Sequence, residues 1–198
     1  MRHRRKGRVL GRSPSHQRAL LRNLAAALML TERTVEVDEV GAPKVTGRII
    51  TTVAKAKEVR PLVEKCITIA KRGLVAIDNA KEFETNAARN SVEWKQWRAG
   101  EQWKKWAHAS APAVVARRRV VQLVGDKTAT RILFDKIAPR YVDRPGGYTR
   151  ILKMATPRLG DAGPRALLEF VGNEGRVEQA TAPKVDSSRP PRRSKSGT

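Results

Sequence analysis

Apolar residues recur along this chain with two different periods, and the changes of period mark its elements. Leu20, Leu24, Ala27 and Leu28 stand at i, i+4, i+7 and i+8, the spacing of one helical face. Ser13 and Pro14 precede that stripe as an N-cap and a first helical position, where the missing proline N–H costs nothing. Arg18 and Arg22 fall on a different face. The period shortens to two over residues 34–53. TVEVDEV alternates, GAPK is a turn, and VTGRIITTV alternates again, which predicts a small hairpin.

Helical spacing returns with Val59, Leu62, Val63, Cys66, Ile67 and Ala70, and Gly73 suits the position just past a helix C-terminus. Pro61 lies inside this pattern, so the helix kinks or begins there, with Thr52 as a rival N-cap. Residues 74–111 hold all four tryptophans as two i, i+3 pairs separated by Gly100, which predicts a helical hairpin or a broken helix. Pro112 then opens a helix made apolar by Val114, Val115, Val120, Val121 and Val124 and basic by Arg117, Arg118 and Arg119. Gly125 ends it, Asp126 caps the next, and Ala129, Ile132, Leu133 and Ile137 form that helix's stripe up to Pro139. Pro145, Gly146 and Gly147 make a turn. Tyr148 to Met154 and residues 165–171 then read as two strands that pair as a hairpin. Residues 172–198 carry too little apolar content to pack and read as a disordered basic tail.

Charge changes this picture from a fold into a binding protein. The 198 residues include 41 Lys and Arg against 19 Asp and Glu, a formal charge of +22, while 40% hydrophobic content is enough for a core. So large an excess implies a polyanionic partner, because neutralising phosphates releases condensed counterions. Residues 1–12 have no hydrophobic period and read as an extended arm carrying Arg2, Arg4, Arg5, Lys6, Arg8 and Arg12 without an acid. A secretion signal fits that stretch poorly. Arg22 and Asn23 interrupt the apolar run that follows, and no small-residue cleavage site comes after it. No stretch reaches bilayer length, and the single Cys66 cannot form an internal disulfide, which fits a reducing, cytoplasmic setting.

Candidate chemistry is confined to binding. The chain has no phosphate loop, no dinucleotide fingerprint and no CxxC pair; its histidines are scattered; Cys66 belongs to an apolar stripe. This predicts no enzyme, no cofactor, no metal, no small-molecule substrate and no membrane partner. The arm is the leading candidate, since arginine binds phosphate bidentately and the arm feeds a helix N-terminus. Second is Arg140, Arg144, Arg150 and Lys153 around Tyr148, a basic cluster suited to a shaped RNA surface. The tryptophans are more often core or protein interface than a base platform. A free nucleic-acid-binding regulator fits the charge equally well, although no helix-turn-helix or dimer heptad supports it.

The segments MRHRRKGRVLGRSPSHQRALLRNLAAALM, TTVAKAKEVRPLVEKCITIAKRG and LFDKIAPRYVDRPGGYTRILK, in that order, resemble the seventeenth protein family of the bacterial large ribosomal subunit. The resemblance covers residues 1–33, 49–73 and 113–171. It implies a non-catalytic α+β domain on large-subunit ribosomal RNA among neighbouring ribosomal proteins, on the outer side near the nascent-chain exit. It also implies RNA contacts from Arg2 through Arg22, with His3, Lys6, Ser15 and His16 among them, and from Gly146, Gly147, Tyr148 and Arg150. Residues 36–48 stand as an added hairpin, 74–111 as a Trp-rich helical insertion and 172–198 as an added tail. Together the elements predict an extended arm over 1–12. A compact two-layer α+β domain over 13–171 follows it, with about four helices and a C-terminal β-hairpin.

Overall fold

The computed structural model describes residues 7–8, 10–34, 42–43 and 45–172. Arg2 to Lys6 of the expected arm, the first strand of the expected 34–53 hairpin and the expected tail beyond Gly172 lie outside the described residues. The elements are α1 (Pro14–Leu30), β1 (Arg48–Thr52), α2 (Val53–Lys81), α3 (Val92–Ala99), α4 (Glu101–Val124), α5 (Lys127–Ile132), β2 (Thr149–Lys153) and β3 (Arg165–Phe170). A π turn (Leu133–Ile137) and a 3-10 turn (Ala138–Tyr141) continue α5, so helical winding runs through Pro139, the residue expected to stop it, as far as Tyr141. The fold is α+β, with five α-helices among the described residues where about four are expected. Among the described residues no helix is long and apolar enough to cross a membrane.

The C-terminal hairpin forms, and it gains a third strand. β3 is central, antiparallel to β2 on one side and to β1 on the other. Ala166, Leu168 and Phe170 point into the core at 0%, 0% and 1% exposure, which follows from the period of two in RALLEF. Thr149 and Ile151 share that face by register, and Thr149 Oγ1 donates to Glu64 Oε1 of α2 at 3.0 Å.

α2 is the spine of the domain. Thr52 is its N-cap position, although the Thr52 side chain makes no capping bond. The 29-residue helix runs through Pro61 and past Gly73 to Lys81. Two glycine and proline readings are thereby corrected. Gly73 is not a C-terminal cap. It is a close-approach residue: a Cβ there would meet Phe134 Cε1 at 2.9 Å and the Ala116 Cβ at 3.0 Å. Pro112 does not open a helix either. It lies inside α4, which begins at Glu101.

The same close approach explains which face of α4 is buried. Ala113, Ala116, Val120 and Val124 are buried, while Val114 and Val115 are 45% and 63% exposed. Ala70, Gly73, Ala76 and Ala80 put a seam of small buried residues along α2, and at Gly73 it brings α4 close through Ala116. In α1 the buried stripe likewise shifts to Ala25, Ala26, Leu28 and Met29, with Ala27 exposed. Gly73→Ala tests the seam. Alanine gains helix propensity of roughly 1 kcal/mol, but overpacking costs about 1–3 kcal/mol. Urea unfolding should show a net loss of stability, and a gain would mean that Phe134 moves aside freely.

The Trp segment is continuous with the core helices, since it begins within α2 and ends within α4. Ser91 caps α3 by accepting from the Trp94 N–H at 3.1 Å. Trp97 Nε1 donates to the Phe83 carbonyl at 3.1 Å, and the Trp97 and Trp106 rings meet edge to face at 5.8 Å. Arg98 lies over both Trp94 and Trp103, at 5.0 and 5.6 Å from the ring centres. Cys66 is fully buried, and burial pushes its thiol up to about 12, which keeps it unreactive.

Candidate nucleic-acid interface

Two glycine-assisted turns and one helix set the first basic surface. Leu10 and Gly11 have positive φ values of 56° and 62°, which turn the chain into α1. Gln17 Nε2 donates to the Arg8 carbonyl, and Arg8 Nε stands 3.3 Å from Glu58 Oε1 of α2. The last described part of the arm is therefore fastened to the domain. Ser13 holds the N-cap position of α1, but its hydroxyl makes no capping bond. Arg12, Ser15, His16, Arg18 and Arg22 are exposed along the entry and first turns of α1.

Ser15, Arg18, Arg22 and Asn23 of α1 face Val124 and Gly125 across a hollow of about 440 Å³. Arg22 Nη2 donates to the Gln122 carbonyl at 3.1 Å, satisfying one of the last carbonyls of α4. Gly125 follows with φ 83°, the left-handed C-terminal conformation, and Asp126 accepts from the Ala129 N–H at 2.9 Å. Those two caps stand as the sequence predicts. Arg22 thus joins two helices besides presenting a cation.

The second cluster is divided between structure and surface. Arg140 makes a two-pronged contact with Glu32, Nη1 to Oε1 at 2.9 Å and Nη2 to Oε2 at 2.7 Å. Hydrogen bonding to Glu32 holds the Arg140 guanidinium more firmly charged than usual. Arg150 pairs with Glu169, which is 1% exposed and also stands 3.1 Å from Arg48 Nη2. Tyr148 is 2% exposed, tilted against Tyr141 at 5.3 Å and covered by Lys71 at 5.3 Å from its ring centre. Its ring is packed within the protein, so it positions the strand and is not a platform for a base. Gly146 and Gly147 form the exposed turn, where Arg144 Nε donates to the Gly146 carbonyl at 3.0 Å and Gly147 has φ 64°. Lys153 ends β2 exposed.

Once these internal pairs are made, Arg12, Arg18 and Lys153 keep cationic ends without an ion-pair partner among the described residues. Arg118 of α4 and Lys127 of α5 do the same, and sequence reasoning does not single them out as site residues. The triplet Arg117–Arg119 signals charge, but only the structure separates its members. Arg117 lies over the Phe134 ring at 4.8 Å, and Arg119 bonds Gln122.

A family model described as Ribosomal protein L17 matches residues 20–171. Curated relatives named large ribosomal subunit protein bL17 align over nearly the whole chain. That of Rhodopirellula baltica is 62% identical over 95% of this chain and 93% of its own length. Those of Nitratidesulfovibrio vulgaris and Lactobacillus helveticus are 34% and 38% identical, over 92% and 83% of this chain and 97% and 98% of their own lengths. The chain belongs to the ribosomal protein L17 family, which is structural and not enzymatic.

Proposed function

We propose that this protein binds and braces ribosomal RNA in the large subunit of the cytoplasmic ribosome, beside neighbouring ribosomal proteins. The observation that carries the reading is the charge left over: a formal +22 whose buried acids, Glu32 and Glu169, are already ion-paired with Arg140, Arg48 and Arg150. The remaining cations face outward on α1, α4, α5 and the end of β2, where phosphates neutralise them. Arg2, His3, Arg4, Arg5 and Lys6 add to this charge in the sequence, and phosphate contacts made by them offset the entropy cost of ordering a segment on RNA.

Sedimentation of lysate tests the reading. The protein should travel with the large subunit, resist a high-salt wash and leave after ribonuclease. A peak at the top of the gradient would favour a free nucleic-acid-binding protein instead. For the arm, R2A/R4A/R5A should lower the slope of log affinity against log salt by roughly 0.7–0.9 for each phosphate that an arginine no longer neutralises. An unchanged slope would make the arm a solvated segment.

A further inference from the structure

We propose that a groove between α2 and β2 receives one unstacked nucleotide of the ribosomal RNA, its base on an apolar floor and its phosphate on Lys57 and Lys153. The inference rests on the RNA-binding reading above and adds a discrete site to it. Val53, Lys57, Arg60, Pro61 and Glu64 of α2 line the groove together with Ile151 and Lys153 of β2. Its volume, about 470 Å³, falls in the range of small-ligand sites, roughly 300–1,000 Å³.

Three features argue for a nucleotide. First, the charges are complementary to phosphate. Glu64, the groove's acid, is engaged by Arg60 Nε at 3.2 Å and by the Thr149 hydroxyl at 3.0 Å, while Lys57 and Lys153 have no ion-pair partner among the described residues. Second, the floor is apolar. Val53, Pro61 and Ile151 line it with hydrophobic surface that suits a base face better than a hydrated ion. Third, Pro61 has no N–H to give the Lys57 carbonyl four residues earlier in its helix, and both residues line the groove. An exocyclic amine of adenine, cytosine or guanine can donate to that carbonyl, and uracil has none. Unstacked bases read in this way are the usual targets of proteins on folded RNA.

The experiment compares gradient-purified large subunits carrying the wild-type chain, K57Q/K153Q or P61W. All three substituted residues are exposed, and replacing a proline inside a helix favours the helix, so both variants should fold and assemble. P61W fills the groove and restores an N–H to the Lys57 carbonyl. Ribosomal RNA is probed with dimethyl sulfate and with a reagent that acylates mobile 2′-hydroxyls. The expected result is a severalfold rise in reactivity at the same one or two nucleotides in both variants, with the rest of the protein's footprint retained. Identical profiles in all three subunits would overturn the site, and so would a footprint that disappears over its whole area. Loss of a neighbouring ribosomal protein with RNA reactivity unchanged would overturn it too, by assigning the groove to a protein segment. A wild-type chain that leaves no footprint would overturn RNA binding itself, a failure separate from that of the groove.

Discussion

Alanine in place of Glu169 should lower stability by about 2–4 kcal/mol, the cost of leaving two partly buried arginines, 23% and 38% exposed, without their carboxylate. Glu169 is 1% exposed in the central strand, and by register it stands directly opposite Arg48 of β1 and Arg150 of β2. One carboxylate thus links all three strands at one level of the sheet. Arg48 Nη2 lies 3.1 Å from Glu169 Oε2 with its side chain 23% exposed, and Arg150 binds the other oxygen. Removing the carboxylate leaves two guanidinium groups on either side of β3 with no counter-charge between them. Glutamine keeps the shape and one acceptor, so E169Q should lose less than E169A. Chemical denaturation of both variants at matched salt decides the matter. A loss below about 1 kcal/mol, the value for exposed pairs, would show that water enters the row.

That row also shows where sequence reading stops. Local signals survived: Gly125 and Asp126 cap α4 and α5 as their residue types require, and Ala166, Leu168 and Phe170 of RALLEF turn into the core at a period of two. Each of those depends on residues within a few positions. Signals that failed have two physical meanings. A glycine late in a helical pattern can end the helix or admit a neighbour, and only Phe134 and Ala116 distinguish these at Gly73. A proline can begin a helix or sit within one, and packing of α4 along α2 keeps Pro112 inside. Pairing of Arg48–Thr52 with Arg165–Phe170 could not be read at all, because nothing local to either strand selects the other. The candidate site divides likewise. The excess of cations is visible in composition, but which cations remain available depends on acids far away in sequence.

Arg140 is the sharpest case, and Glu32 is the residue that tests it. Glu32 is 4% exposed, and both its oxygens accept from Arg140, 108 positions later. Glu32→Ala should cost about 2–4 kcal/mol, somewhat less than a fully buried pair because the Arg140 side chain is 31% exposed and water reaches it. R140A strands the carboxylate instead and should cost a similar amount. In E32A/R140A neither charge is stranded, so the double variant should lose clearly less than the sum of the two single losses. RNA binding separates the structural role from a direct one. R140A should leave the salt slope of RNA affinity where it is, whereas R18A, on the open face of α1, should lower it by roughly 0.7–0.9 for one phosphate. A lowered slope in R140A, with stability intact, would mean that the guanidinium leaves Glu32 for a phosphate when RNA binds. The pair would then be a latch that RNA opens, and not a fixed strut between α1 and the turn after α5.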